Sequence, residues 1–378
     1  MNLDLPLRST KLLSGISVLS VLSKTLEPRI SVFLPSGSSN DPKSFPGLLH
    51  LTEHLLFRRP ASEQLFELCD TNASSFKAHT TKEHMFLSAT TLQKHFSWTL
   101  STMLNLFFNP IFNNKALSQE IPIIKAEQAH NAFDSYNSTL NKLESLLLSP
   151  PLSTPIIGDP STFHHLTPQQ LHSFHQSTIS NNAPVVVAVG DHSHEHLVET
   201  VSHFTKGLKC KREASTVKSL VKPIGECCSD SGSALGVTSP SLKSKEVKIA
   251  RAINNLFNQD PRFKSKCQAF FHSFHGSEGI MGAFTDQTTK LSPVYQEFLK
   301  SLKGKQIKDQ IEKDCSIIVE DSDCLSQALG RKVCFQSNEF DSSAISSKEV
   351  KSFVKARLAL IKKNNKHYCG FHLNIEDT

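Results

Sequence analysis

The chain has 378 residues, long enough for two domains with sizeable cores, and 38% hydrophobic against 20% charged residues describes a soluble globular protein. A net charge of +6 is modest over this length, and no basic patch interleaved with aromatics accompanies it, so nucleic acid is not an expected partner. No apolar run approaches the roughly 18 residues of a membrane span. The nine cysteines are an odd number without a C-x-x-C pair, and they read as reduced thiols rather than a disulfide framework or a Cys-type zinc site.

The N-terminus carries Arg8, Lys11 and Lys24 with few acids, a presequence-like flavour. Ile16-Ser-Val-Leu-Ser-Val-Leu-Ser alternates as a half-buried strand does, so a strand is expected there rather than a cleavable leader. Residues 16–22 and 29–34 read as paired strands, with a turn near Glu27-Pro28.

Pro46-Gly-Leu-Leu-His50-Leu-Thr-Glu53-His54-Leu-Leu-Phe57 follows. Ser44 is the expected N-cap, and Pro46 suits a first helical turn, where its missing N–H costs nothing. The leucines and Phe57 demand burial, yet three ionisable groups sit among them. His50 and His54 are four apart and share a helix face, with Glu53 beside them. Two imidazoles one turn apart can reach one Zn²⁺, and a neighbouring carboxylate can take a proton from water held there. The pattern is H-x-x-E-H, the reverse of the commoner H-E-x-x-H zinc-protease helix. Taken alone it also describes a partly buried helix with two hydrogen-bonded histidines; a metal site needs a third ligand.

Ser62 to Cys69 is expected to be a short amphipathic helix, Phe76–His79 and Met85–Thr90 a strand pair, and Gln93–Phe108 an amphipathic helix burying Phe96, Leu100, Leu104 and Phe107. The segment Ala116–His130 reads as helical, with Pro122 early in it. Glu120 and Glu127 are seven apart, close to two full turns, so they point the same way. A metal facing the first helix would see Glu127 as ligand and Glu120 as a carboxylate orienting a ligand or water; the alternative is an ordinary charged helix face.

Thr139–Leu148 is another helix, and Thr167-Pro-Gln-Gln170 a capping box opening the next. Pro184–Gly190 is a buried strand, after which Asp191 caps a helix starting near His194. His192, His194 and His196 offer a competing H-x-H-x-H metal site at this turn, and vicinal Cys227-Cys228 a redox or metal pair; a structural turn and a chance doublet are the alternatives.

GLLHLTEHLLF, KEHMFLSA, FFNPIF and SQEIPIIKAEQ together resemble the pitrilysin/insulinase-type, inverted-zincin metallopeptidases, and within them most closely the mitochondrial processing peptidase β-subunits and their bacterial relatives. The resemblance implies His50, His54 and Glu127 as zinc ligands, Glu53 as general base and Glu120, seven residues before the third ligand, as support. It implies an α+β fold of two similar domains, each a mainly antiparallel sheet flanked by helices. The expected division is a zinc-binding catalytic domain at 1–205, a basic linker at 206–224, and a degenerate, non-catalytic second repeat at 225–378. Within that repeat, residues 347–353 echo 168–174, and 370–375 is expected as a strand. Ser326–Arg331 resembles a helix end of the family.

The implied activity is Zn²⁺-dependent cleavage of short, extended peptides such as organellar presequences, in a mitochondrion or derived organelle, with a cytoplasmic location as the alternative. The implied partner is a glycine-loop α-type subunit, or a second copy of the chain. Two departures accompany the likeness. Lys77 stands where an asparagine of a substrate-holding strand belongs, and Phe270 with Lys264 or Lys266 stands where active relatives carry a tyrosine and an arginine. The rival reading is therefore a structural subunit of the same fold, like the respiratory-complex core proteins, although those usually lose the zinc ligands kept here.

Overall fold

The computed structural model describes residues 6–58, 62–212, 217, 219–229, 232–338 and 345–367. Two compact units emerge. The first comprises Met1–His130, Pro150–Val217 and Asp314–Ser342, the second Asn131–Ser149, Lys218–Lys313 and Ser343–Thr378. The division at 1–205 and 225–378 is thus crossed twice: a segment of the first half joins the second unit, and a segment of the second half joins the first. Between the halves, the passage from one unit to the other falls at Val217/Lys218, inside the basic stretch.

In chain order the first half contains β1 (Leu7–Lys11), β2 (Ser17–Leu22), β3 (Arg29–Leu34), α1 (Leu48–Leu56), α2 (Ser62–Thr71), β4 (Ser75–Thr80), β5 (Met85–Thr90) and α3 (Phe96–Phe108). It continues with α4 (Asn114–Phe133), α5 (Ser135–Leu147), α6 (Pro168–Asn181), β6 (Val185–Gly190) and α7 (His194–Phe204). The second half contains β7 (Ile224–Ser229), β8 (Gly232–Ser239), α8 (Val247–Gln259), β9 (Gln268–His272), β10 (Gly279–Thr285), α9 (Leu291–Ser301), α10 (Gly304–Glu320), α11 (Ser322–Phe335) and α12 (Ser347–His367).

The first unit's sheet has the order β1-β2-β6-β3-β5-β4. Every pairing is antiparallel except β2 with β6. The expected pairing of β2 with β3 does not form, because β6 lies between them. Its run Val-Val-Val-Ala-Val-Gly is buried at every residue, which only a central strand covered on both faces permits. Val186 and Ala188 enter one core with Val18, Ile30 and Val32 of the sheet and Leu100, Met103 and Phe107 of α3. Val185, Val187 and Val189 enter another with Leu19, Phe33 and the α11 residues Leu325, Ala328 and Leu329. Period-two alternation sends successive side chains to opposite faces.

The helix α11 seats closely because Gly330 lies over the Phe33 ring, where a Cβ would stand 2.7 Å from its Cδ2. Arg29, buried on β3, donates to Asp323 Oδ1 at 3.0 Å and to Ser322 Oγ at 3.3 Å, fixing the start of the same helix. Ser326–Arg331 is accordingly mid-helix, not a helix end.

The second unit's sheet, β7-β8-β10-β9, is antiparallel throughout. Its core joins Leu235, Val237, Met281 and Ala283 to Ile249 and Ile253 of α8, Tyr295 and Phe298 of α9, and Phe353 of α12. The expected mainly antiparallel sheets flanked by helices are therefore both present. The echo of residues 168–174 at 347–353 holds as two helix starts, α6 and α12; the strand expected at 370–375 lies outside the described residues.

Candidate metal centre

The helix α1 begins at Leu48, two residues later than a Pro46 start. Its N-cap is Gly47, at φ 91°, and Ser44 plays no capping part. The orphan N–H groups of the first turn are met instead by Asp41, whose Oδ2 accepts from Gly47 N at 2.8 Å and Oδ1 from Leu49 N at 3.0 Å. Burial pushes the Asp41 carboxyl up to about 7 against the lowering pull of those backbone donors. Leu48, Leu51 and Leu55 then bury against Ala116, Leu117 and Ile124 of α4. That packing brings the polar faces of the two helices together.

The result is a three-residue cluster. Donor atoms of His50, His54 and Glu127 all lie within 4.8 Å of one another. One Glu127 oxygen stands 3.8 Å from His50 Nε2 and the other 3.7 Å from His54 Nε2. The two rings sit 4.7 Å apart, centroid to centroid, at 67°. A tetrahedral ion with bonds of about 2.1 Å has ligand–ligand edges of ~3.4 Å, so the pocket is close to the size Zn²⁺ needs. The donor set of two imidazoles and a carboxylate also suits it. Burial, with His54 and His79 nearby, lowers His50 to about 4, so its imidazole is neutral at pH 7 and has a lone pair to give.

Glu120 is 2% exposed and does not join the cluster directly. Its Oε2 accepts from His54 Nδ1 at 3.0 Å, which fixes the tautomer and leaves the Nε2 lone pair facing Glu127. Arg58 Nε donates to the other oxygen of Glu120. Glu53 receives the Thr80 hydroxyl at 2.5 Å, and its carboxyl is raised above the ordinary range, chiefly by burial. Glu53, His54, Phe57, Arg58, Ala78 and Glu120 line a cleft of about 440 Å³.

The structure brings the five sequence-predicted residues to one place: His50, His54 and Glu127 in one cluster, Glu53 on the same cleft, and Glu120 against His54. Glu120 touches His54 rather than the cluster's centre, as a carboxylate orienting a neighbouring imidazole would. Asp41, Arg58 and Thr80 went unread. Arg58 had a signal, lying one turn beyond His54 on the same face; Asp41 and Thr80 act across loops and carry none.

The competing sites dissolve. His194 is held by Ser20 and Thr10 hydroxyls at 2.7 and 2.8 Å, His196 Nε2 lies 3.0 Å from Ser97 Oγ, and His192 stacks on Phe96 at 4.8 Å. Three residues aimed at separate neighbours share no ion, and the cap of that helix is Ser193, not Asp191. Cys227 and Cys228 are consecutive on β7 and reach different carbonyls, those of Thr139 and Thr289. The described cysteines are all free.

Residues 18–158 match the family model described as Insulinase (Peptidase family M16). This stretch is similar to peptidase family M16 domains. It contains all five residues of the site. The chain is 22% identical over 214 residues to the mitochondrial-processing peptidase subunit beta of Dictyostelium discoideum, covering 55% of this chain and 46% of that protein. It is 25% identical over 203 residues to an uncharacterized zinc protease of Mycobacterium tuberculosis, covering 52% and 46%. It is 25% identical over 209 residues to the insulin-degrading enzyme of Mus musculus, covering 51% and 20%. The matches thus span about half or less of these relatives.

Solved structures extend the M16 likeness of fold beyond residue 158. A protease from Helicobacter pylori superposes with a TM-score of 0.73 at 15% identity, covering 93% of this chain and 96% of that one. An M16 inactive domain from Pseudomonas fluorescens gives 0.74 at 16%, covering 92% and 94%.

Proposed function

We propose that this chain is a zinc-dependent endopeptidase acting on short, extended peptides, with organellar presequences as the substrate class and a mitochondrion or derived organelle as the setting. The observation carrying the reading is the convergence of His50, His54 and Glu127 from two separate helices, with Glu53 alongside. His50, His54 and Glu127 are the proposed ligands, Glu53 the proposed general base and Glu120 the support of His54. When bound, Zn²⁺ supplies Lewis acidity toward a peptide carbonyl and an attacking water.

The chain's own groups do the rest. Glu53, raised by burial, takes a proton from the attacking water and returns it to the leaving amine nitrogen. The Thr80 hydroxyl holds the Glu53 carboxylate in place while it does so. Substrate has a surface to lie on. The β4 strand ends the sheet, and Thr81 N donates to His84 O at 2.7 Å across the β4–β5 turn. Antiparallel ladders alternate, so Phe76, Ala78 and Thr80 turn their N–H and C=O groups to the open side. Ala78 lines the cleft, and an extended peptide added there as a strand would run past Glu53.

The zinc-binding unit is the proposed catalytic domain and the second unit a non-catalytic one. A glycine-loop α-type subunit, or a second copy of the chain, is the proposed partner. One observation favours the rival reading of a structural subunit. Phe270, where the resemblance implies a tyrosine, is 3% exposed and has no hydroxyl to give. Losing one donor to a developing oxyanion commonly costs on the order of 10²–10³ in rate. The deciding experiment is cleavage of a basic presequence peptide by the zinc-loaded chain, alone and with an α-type processing-peptidase subunit. Zinc-dependent turnover that Glu53→Gln abolishes is expected. Full zinc loading without turnover in either condition would leave the structural subunit.

A further inference from the structure

The apolar packing of α1 on α4 is non-directional and permits sliding by fractions of an ångström, yet donor atoms on the two helices must keep a fixed spacing. A short segment, residues 154–159, reaches α4, the residues that lead into α1 and the turn that follows β4. Asp159 N donates to Pro46 O at 3.0 Å, at the entrance to α1. Gln128 Nε2, on the residue after Glu127, donates to Gly158 O at 3.1 Å. Lys82 Nζ, in the turn that follows Thr80, donates to Thr154 O.

The contact at α1 is backbone against backbone. Gly158 has φ +63°, and a Cβ there would lie 2.0 Å from Pro46 O and 2.3 Å from Gly47 N. Gly47 has φ +91°, and its Cβ would lie 2.2 Å from Ile157 O. Neither neighbour is a side chain that can swing aside, so the approach exists only because both residues are glycine.

We propose that residues 154–159 are a positioning strap that sets the distance between the His50/His54 pair and Glu127, with Gly158 and Gln128 as its positioning residues. The inference rests on the metal-binding reading above and deepens it. The strap's hydrogen bonds named above go to Pro46, Gln128 and Lys82 rather than to the site groups themselves. Its loss leaves all three donors in the chain and misplaces them relative to one another.

The test uses the full chain, with Zn²⁺ affinity by chelator competition, the visible spectrum of the Co²⁺ form, and thermal unfolding of the metal-free protein. Gln128→Leu removes one exposed hydrogen bond, and Gly158→Ala forces α1 and the strap apart. The expected result is zinc affinity weakened several-fold in Gln128→Leu and about tenfold or more in Gly158→Ala. An altered Co²⁺ spectrum accompanies it, while unfolding of the metal-free Gln128→Leu protein stays at the wild-type temperature. If Gly158→Ala does not fold, Gln128→Leu decides. Wild-type affinity and spectrum in Gln128→Leu would overturn the strap, as would a loss matched by equal destabilisation of the metal-free chain. Failure of the wild-type chain to bind Zn²⁺ is a different outcome, and it removes the metal reading on which the strap rests.

Discussion

At the scale of single residues, His54 is the most constrained group of the site. Glu120 holds one ring nitrogen and Glu127 faces the other, while Arg58 in turn holds Glu120. A buried carboxylate orienting a ligand imidazole is commonly worth about 10–100-fold in metal affinity. Glu120→Leu is therefore expected to weaken Zn²⁺ by that order, and Arg58→Gln by less, in a chelator-competition titration. Glu53 behaves differently because it sits beside the cluster rather than in it. Glu53→Gln should keep zinc affinity within a few-fold and lower kcat by about 10²–10⁴, the range typical of general base removal. A parallel loss of zinc in that variant would make Glu53 a ligand instead of a base.

At the scale of elements, α1 depends on a cap supplied from outside the helix. Asp41→Ala leaves the Gly47 and Leu49 N–H groups without an acceptor, and urea unfolding should register a loss of about 1–2 kcal/mol. The seating of α11 makes a second case: Gly330→Val pushes a branched side chain into the Phe33 ring and should cost about 1–3 kcal/mol by overpacking. A third concerns α6, whose His175 is 3% exposed between Phe107 and Phe112. Burial lowers its imidazole from 6.5 to about 4. The unfolded chain therefore binds that proton first, so the contribution is full above pH 6.5 and drains away as pH falls toward 4. His175→Gln should flatten the stability-versus-pH slope in that window by up to about 1.4 kcal/mol per pH unit, read from urea midpoints. These elements also mark what the sequence made legible. The α1 and α4 faces were readable because helical spacing alone places His50 beside His54 and aligns Glu120 with Glu127. The insertion of β6 between β2 and β3 was not, since alternation says which residues are buried and not which strand lies next. For the same reason nothing in the apolar pattern of α11 said that it would cover the first sheet. Thr80 and Gly158 escaped because each acts on residues far along the chain, and Asp41 because it serves α1 from the loop before it, where no helical spacing applies.

At the scale of the whole molecule, each unit has its own sheet and core, and the five site residues all belong to the first. Zinc binding should then slow amide exchange in α1, α4 and β4 more than in the strands of the second sheet, because bound ligand stabilises the elements that carry it. Uniform slowing, or slowing confined to the second sheet, would place the ion elsewhere. The account stands on one physical claim, that two helices jointly hold one ion. Elemental analysis of the purified, zinc-equilibrated chain tests it most directly, beside His50→Ala and Glu127→Ala treated identically. One zinc per wild-type chain, with neither variant retaining it, is the predicted result. A wild-type chain without zinc, or a Glu127→Ala chain that keeps its full complement, would contradict it.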